Sequence, residues 1–290
     1  SALQYIIGFD SFPIEDKRYG FLPPAVENLL HAKYTNVVQP NNPSALRQNV
    51  KAILRIGTEQ HSQRSIIGCL ADIHAYIMKT PGKMSIVEFS KFIRDRIDLD
   101  TFISLNNGSL ALQYNNRTWK GDMSQYEDTQ FVKVNGNNKG VRDIIGGYEL
   151  FKRHLIDPAS TIDHVIMWDI IANTDKLFGM EINPVILELS NDDITNNVGI
   201  ICPTTSYSSG SFNPNKPSML LLKQDQYYEL IGVIVTDEVN KRKRYHNMKL
   251  FYMDETILPE LRDILNVITK AASSMCKPLP SKPDVYTFQP

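Results

Sequence analysis

The chain has 290 residues, of which 42% are hydrophobic and 22% are charged. These values are typical of a folded globular protein and exclude the polar, highly charged composition of disordered chains. The 31 Lys and Arg residues nearly balance the 32 Asp and Glu residues, so no overall positive charge attracts the chain to nucleic acid or to an anionic membrane. The length fits one large domain, and we predict a single domain over residues 1–290.

The three cysteines, Cys69, Cys202 and Cys276, are far apart in the sequence and form no CxxC motif. This spacing argues against a disulfide framework and against a zinc site, and it favours a reducing compartment. No apolar run approaches the roughly 20 residues that cross a bilayer, and the first residues lack the basic and apolar regions of a signal peptide. We therefore expect an intracellular, cytoplasmic protein that has no membrane partner.

Residues 1–45 are interrupted by prolines and contain one segment of helical character. The prolines are Pro13, Pro23, Pro24, Pro40 and Pro43. Because proline removes a backbone donor and restricts the residue before it, this pattern predicts an irregular N-terminal clasp, with one short helix through Ala25–Leu30.

Apolar residues at helical spacing predict further helices before residue 180. These helices are expected within His61–Met78, from Ser85 through Ile97, from Val141 through Leu155, and from Ser160 or Thr161 through Ile171. Between them, Ser109–Tyr114 alternates as in a short strand, and Asn115–Asn138 is a polar excursion rich in Asn and Gly.

After residue 180 the pattern changes to short β-rich runs separated by turn residues. The runs are Pro184–Leu189, Val198–Ile201, Met219–Leu222 and Tyr228–Val235. A long polar loop covers Pro203–Pro217, a closing helix begins near Pro259, and a Pro-rich tail covers residues 277–290. We predict an α+β fold in which a helical first half packs on a small, mainly antiparallel sheet.

Two segments have the arrangement by which papain-like thiol hydrolases bring a nucleophile and a base together. The first is a helix start, Gln63-Arg64-Ser65-Ile66-Ile67-Gly68-Cys69-Leu70-Ala71, and the second is a late strand, Leu220-Leu221-Leu222-Lys223-Gln224-Asp225-Gln226-Tyr227-Tyr228-Glu229-Leu230-Ile231. In such hydrolases the helix start lowers the pKa of a thiol, and the strand presents an imidazole to it.

These segments resemble the OTU family of deubiquitinating cysteine proteases, whose helix begins Asp-Gly-x-Cys-Leu-Phe-Arg-Ala and whose late strand carries His-Tyr-Asp or His-Tyr-Asn. Trp168–Ala172 and Asn183–Leu189 resemble the helix and strand that precede that late strand in the family. The resemblance places Ser65 at the nucleophile, Tyr227 at the catalytic histidine and Glu229 at the carboxylate or amide. It implies a papain-like, OTU-like domain that lacks the Cys and the His.

The resemblance therefore implies a pseudoenzyme, that is, a non-catalytic OTU-like module that mediates protein binding and needs no cofactor. Its expected partner is a protein, with ubiquitin or a ubiquitin-like protein as the candidate, and no strong signal for nucleic acid is present. As binding residues we choose aromatic side chains expected beside the cleft. They are Tyr207, Phe212 and Tyr228, with Tyr227 next to them.

A second resemblance concerns origin. Asp192–Pro203, together with the Tyr-Glu pair of the late strand, resembles segments of long proteins of nucleocytoplasmic large DNA viruses. This resemblance implies a viral source, with the protein in a host cell or a virion. It does not indicate an activity. The start at Ser1 and the abrupt end at Pro290 also lead us to expect a piece of a longer polypeptide.

A divergent cysteine or serine hydrolase remains the first alternative. Ser65 is either a nucleophile or a helix-start residue whose hydroxyl caps the first turn, and the second interpretation is favoured because no local motif identifies a base. Cys69 lies in an apolar stripe and is expected to be a small buried hydrophobe. His61 would act as a base only if the fold placed it beside a thiol.

A metal-dependent nuclease is the second alternative. Glu188, Asp192 and Asp193 could hold Mg²⁺ while Lys223 steadies a phosphate, but the Asp...Glu-x-Lys spacing is absent and a turn or cap is favoured for the adjacent aspartates. Lys241–Arg244 is a basic run without interleaved aromatics, and we interpret it as the solvated tip of a hairpin.

Overall fold

The computed structural model describes residues 5–190, 193–203, 212–254 and 258–276. The chain divides into two compact units. The first is drawn from Ser1–Ile86, Ile182–Cys202 and Phe212–Lys277, and the second mainly from Val87–Glu181. The predicted single domain over residues 1–290 stays a prediction.

The first unit contains all the strands of the described residues. They are β1 (Tyr19–Gly20), β2 (Val38–Gln39), β3 (Asn42–Leu46), β4 (Lys51–Ile56), β5 (Asn183–Leu189), β6 (Gly199–Ile200), β7 (Ser218–Gln224), β8 (Tyr227–Val239) and β9 (Arg242–Met248). Seven strands form one sheet in the order β1-β4-β8-β7-β5-β6, with β9 also paired to β8, while β2 and β3 form a separate pair. Only β5 and β7 pair in parallel, so the prediction of a mainly antiparallel sheet is confirmed.

Helices account for most of the remaining regular structure. They are α1 (Pro24–Leu30), α2 (Ser65–Met78), α3 (Ile86–Arg96), α4 (Leu99–Ser104), α5 (Ser109–Gln113), α6 (Gln130–Asn135), α7 (Lys139–Ile156), α8 (His164–Ala172) and α9 (Pro259–Met275). Each longer helix expected from apolar spacing is present, and the α+β class is confirmed.

One face of the large sheet is covered by α1 and α9. Leu222 of β7, Ile231 of β8 and Leu265 of α9 belong to one hydrophobic cluster and are fully buried. Because side chains alternate along a strand, Tyr228 and Leu230 point to the opposite face. Each fully buried Leu or Ile contributes roughly 1.5–3 kcal/mol to folding, so this layer anchors the sheet.

The first half of the chain is mostly helical, as expected, and also supplies β1 and β4 to the sheet. β4 pairs with β8 over Lys51–Ile56 and Leu230–Val235. The sequence of β4 is Lys-Ala-Ile-Leu-Arg-Ile, and Arg55 is fully buried in it. A charged residue normally indicates an exposed position, so the sequence did not indicate a buried strand here. The strand was therefore missed.

The second unit is helical, and aromatic rings form its centre. The ring of Phe102 lies 4.9 Å from that of Phe151 and 5.5 Å from that of Tyr148, measured between centroids. The hydroxyl of Tyr148 also donates to the carbonyl of Ile97 at 2.6 Å. The core of this unit is thus formed between α4 and α7.

Two expectations within the second unit were wrong. The strand predicted for Ser109–Tyr114 is the helix α5, in which Leu110 and Ala111 are buried and the other residues are accessible, so the alternation was accidental. The polar excursion Asn115–Asn138 contains the helix α6, which Thr129 begins by accepting a hydrogen bond from the amide of Val132.

Cys202 and Cys276 form a disulfide, which corrects the expectation of unpaired cysteines. The two residues are 74 positions apart, yet their Cα atoms lie 5.5 Å apart because Cys276 ends α9 and Cys202 follows β6. No local spacing rule could have found this pair. The argument from cysteine spacing to a reducing compartment therefore fails.

The described part of the chain has no helix that is both long and apolar enough to cross a membrane.

The disulfide gives the first testable prediction. Replacing Cys276 by Ser should lower the free energy of unfolding by roughly 2–4 kcal/mol in the absence of reductant, because the closed loop restricts the unfolded chain. Urea unfolding of parent and variant, with and without dithiothreitol, measures the difference. The two proteins should unfold at the same urea concentration once dithiothreitol is present, whereas equal stability without reductant would contradict the disulfide.

Candidate functional site

The start of α2 and the start of β8 lie together in the first unit. The sequence resemblance of these two segments requires this proximity. A tight turn connects β7 to β8, with Gln224 paired to Tyr227 and Asp225 in the left-handed backbone region (φ 56°). This turn places the first residues of β8 against the first turn of α2. Ser65 and Tyr228 meet there through direct hydrogen bonds.

The hydroxyl of Ser65 joins the helix to the strand. Its Oγ accepts a hydrogen bond from the amide of Tyr228 at 2.9 Å and donates to Oε1 of Gln60 at 2.5 Å. The carbonyl of Tyr228 lies 3.2 Å from the same oxygen. Ser65 is only 1% exposed, so the hydroxyl is occupied on both sides and closed to solvent.

Gln60 completes this group. Its Nε2 donates to the carbonyl of Tyr228 at 3.0 Å while its Oε1 accepts from Ser65. Each polar atom of the group is paired with another, which is the arrangement that makes a buried polar cluster stabilising. We call Gln60, Ser65 and the backbone of Tyr228 the helix–strand clasp. The role of Gln60 was not anticipated from the sequence.

The expectation that Ser65 caps its own helix needs correction. Ser65 is the first residue of α2, the N-cap is Arg64, and the cap forms no side-chain hydrogen bond to the helix. The hydroxyl is directed to β8 instead. Ser65 therefore lies buried between α2 and β8.

The two tyrosines at the start of β8 differ in exposure. Tyr227, which the sequence resemblance places at the family's histidine, is half-buried, and Tyr228 is 1% exposed. The ammonium group of Lys223 lies 5.9 Å from the ring centre of Tyr228. Since an anchor for a partner must be accessible, Tyr228 does not have the exposure that we expected of a binding residue.

Glu229 forms a buried ion pair with Arg55 of β4. Oε1 of Glu229 lies 2.9 Å from Nη1 of Arg55, and both side chains are 0% exposed. Oε2 accepts from the amide of Ile14 at 2.9 Å. Burial raises the pKa of Glu229, and the charge of Arg55 and the amide of Ile14 oppose that rise.

Arg55 also holds the N-terminal segment on the sheet. Its guanidinium donates to the carbonyls of Gly8, Ser11 and Phe21 at 2.9, 2.8 and 2.7 Å. A Cβ at Gly20 would approach Nη2 of Arg55 to 2.7 Å, so glycine leaves the room that the guanidinium needs. The pair thus connects the N-terminal segment, β4 and β8.

Cys69 and His61 do not combine into a catalytic pair. Cys69 is 0% exposed, its Sγ lies 3.5 Å from Oγ1 of Thr58, and burial raises the pKa of its thiol to about 12. A thiol with such a pKa is a poor nucleophile at neutral pH. Nδ1 of His61 accepts a hydrogen bond from the amide of Gln63 at 3.1 Å, so the ring is engaged in the local turn.

The described residues considered for a metal-dependent nuclease form an ion pair or stabilise a turn. Glu188 and Lys223 form an ion pair at 2.9 Å across the neighbouring strands β5 and β7. The carboxylate of Asp193 accepts from the amides of Thr195 and Asn196, which is the turn role that the sequence favoured. No group of three or more His, Cys, Asp or Glu residues suited to a metal occurs in the described ranges. Asp192 lies outside them.

The aromatic residues of the long loop are described only in part. Phe212 is partly buried and packs against the hydrophobic cluster under α9. This contact supports a structural role for Phe212 in fixing the end of the loop. Tyr207 lies outside the described residues, and its part in binding stays a prediction.

Comparisons with known proteins add little. No protein-family model matches the chain, and no curated protein matches it. Among solved structures, the chain is similar to an ovarian tumor (OTU) domain in complex with ubiquitin, at 10% identity and a TM-score of 0.32, with 77% of this chain and 86% of that chain covered. At this TM-score the likeness carries no argument about function.

The clasp gives the second prediction. Replacing Ser65 by Ala should lower the free energy of unfolding by roughly 1–3 kcal/mol, because the buried amide of Tyr228 loses its acceptor. Urea unfolding measures the loss. Ser273 is the matched control, since its hydroxyl is exposed on α9 and donates only to the carbonyl of Thr269. Equal stability of Ser65→Ala, Ser273→Ala and the parent would contradict the clasp.

Proposed function

We propose that the chain is a non-catalytic, OTU-like protein-interaction module. The observation that carries this proposal is the buried helix–strand clasp, in which the residue at the nucleophile position has a structural role. Oγ of Ser65 already accepts from Tyr228 and donates to Gln60. A nucleophilic hydroxyl needs access to substrate and a base that takes its proton. Neither condition is met by a hydroxyl that is 1% exposed and donates to an amide oxygen.

The other two positions of the family's catalytic set support the same conclusion. Tyr227 carries a phenol where the family has an imidazole, so this position lacks the ring nitrogen that takes the proton of the nucleophile in such sites. Glu229, at the third position, is committed to Arg55 and to the amide of Ile14. It therefore cannot orient a base, as the third member of a triad does.

The proposed partner is ubiquitin or a ubiquitin-like protein. The support is the sequence resemblance of the α2 and β8 segments to the OTU family. Loss of the chemistry does not by itself remove a binding surface, because the fold and the catalytic groups are separate features. The accessible part of this region is Tyr227 and the turn at Asp225, which border the buried clasp.

The third prediction concerns covalent labelling. Ubiquitin with an electrophilic C-terminus should label neither the parent chain nor a Ser65→Cys variant, because the position is buried and has no imidazole base. Mass spectrometry of the intact protein detects the adduct. Ser273→Cys, which adds an exposed thiol, is the control for thiol reactivity and should react with a small maleimide, whereas Ser65→Cys should not. Labelling of the parent at Cys69 or Ser65 would overturn the non-catalytic assignment.

The fourth prediction concerns the partner itself. Titration of ¹⁵N-labelled ubiquitin with the unlabelled chain should shift a contiguous set of ubiquitin amide signals, and replacing Tyr227 by Ala should weaken the effect. Since Tyr227 is only half-buried, we expect little change in the free energy of unfolding. Unchanged spectra at millimolar chain would show that ubiquitin is not the partner.

A further inference from the structure

We propose that the free edge of β9 is a docking edge for an extended, acidic segment of a partner protein, which would add to the sheet as a further strand. This inference rests on the proposed function as a protein-interaction module and names the chemistry of a partner. It places binding at β9, away from the clasp between α2 and β8.

β9 is an edge strand with an unusual degree of exposure. It pairs with β8 on one side over Arg242–Met248, and no other strand of the described residues pairs with its second side. The first five residues of β9 are exposed and the last two are half-buried. Alternate amide and carbonyl groups on the second side are thus available to an added strand, which is the basis of strand-addition recognition.

The turn at the tip makes this edge regular. Asn240 and Lys241 both lie in the left-handed backbone region, with φ of 53° and 62°. Two such residues form the tight turn whose twist matches the flanking strands. The register between β8 and β9 then continues without a shift from Val239 opposite Arg242 to Val233 opposite Met248. The edge is therefore a continuous template seven residues long, without a bulge.

The charge of the edge determines what can add to it. Arg244 pairs with Asp237 at 3.3 Å, but Lys241, Arg242 and Lys243 form no ion pair with any residue that the structure describes. Opposite charges on facing strands stabilise the pair and like charges destabilise it. A segment that carries Asp or Glu at the facing positions would complement these three cations.

The alternation of β9 also sets the pattern of the segment. Arg242 and Arg244 point to one face of the hairpin, and Lys243 and Tyr245 point to the other. Tyr245 is 48% exposed, so an apolar residue facing it would remove both side chains from water. The partner segment is thus acidic at the positions that face Arg242, Lys243 and Arg244, and apolar at the position that faces Tyr245 in the middle of the strand.

A second copy of this chain does not fit the edge. Antiparallel pairing of two β9 strands about Arg244 would set the two Arg244 side chains against each other and Arg242 of each copy against His246 of the other. Such pairing is unfavourable because like charges would face each other directly. Basic residues on an edge strand prevent pairing with a second basic strand. They do not prevent pairing with an acidic strand, whose charges are opposite.

The test uses the full chain and a fluorescein-labelled seven-residue peptide, Thr-Thr-Thr-Val-Glu-Glu-Glu, whose Glu and Val residues face Arg242, Lys243, Arg244 and Tyr245 when it pairs antiparallel to β9. Fluorescence anisotropy should show saturable binding that weakens as NaCl is raised, since exposed charges are screened. The same peptide with alternate backbone amides N-methylated keeps its charges and loses its donors, and it should bind at least about tenfold more weakly if a strand is added.

Charge reversal at the edge supplies the matched variants. Arg242→Glu together with Lys243→Glu should weaken peptide binding about tenfold or more, because two facing pairs become repulsive. Lys133→Glu together with Lys270→Glu makes the same change of charge on exposed helix surfaces and should leave the affinity unchanged. Equal affinity of the Arg242/Lys243 variant and the parent would overturn the proposal.

Two further outcomes would also overturn it. Equal binding of the N-methylated peptide would show attraction by charge alone. Tighter binding of a seven-nucleotide single-stranded DNA than of the peptide would assign the edge to nucleic acid. Neither result bears on the labelling or the ubiquitin titration, which report on α2 and the start of β8, so failure here is distinct from failure of the proposed function.

Discussion

The buried ion pair between Arg55 and Glu229 is the constraint on which the first unit depends. Removing two charges from water costs several kcal/mol each, and only complete pairing offsets that cost. Here Arg55 meets Glu229 and three backbone carbonyls, and Glu229 also meets the amide of Ile14. The N-terminal segment, β4 and β8 are therefore held in one arrangement, because loss of any of them would leave a buried charge uncompensated.

The same pair explains how the region that resembles a catalytic site serves the fold. The sequence resemblance places Glu229 at the family's catalytic carboxylate or amide, and the carboxylate of Glu229 forms an ion pair with Arg55. The same resemblance places Ser65 at the nucleophile, and the hydroxyl of Ser65 forms hydrogen bonds with Gln60 and Tyr228 in the helix–strand clasp. Both residues are buried among partners that they satisfy. The binding that we propose therefore uses accessible parts of the unit, at Tyr227 and along β9.

Elements with regular apolar spacing could be predicted from the sequence, and elements held by polar contacts could not. The stripe of Ile66, Leu70 and Ile73 located α2, and the apolar runs located β5, β7 and β8, because burial imposes the period of the element. β4 was missed since Arg55 is charged and buried. The Gln60–Tyr228 hydrogen bond and the Cys202–Cys276 disulfide were missed because their two residues are 168 and 74 positions apart, where no local pattern signals a contact.

A double-mutant cycle on Arg55 and Glu229 tests the central claim most directly. Arg55→Met and Glu229→Gln, alone and together, are compared with the parent by urea unfolding. Each single change should cost roughly 3–5 kcal/mol, because it leaves a buried polar partner unpaired. The double change should cost less than the sum of the two by at least about 1 kcal/mol. Additive losses, or single losses below about 1 kcal/mol, would show that the pair does not hold the unit together.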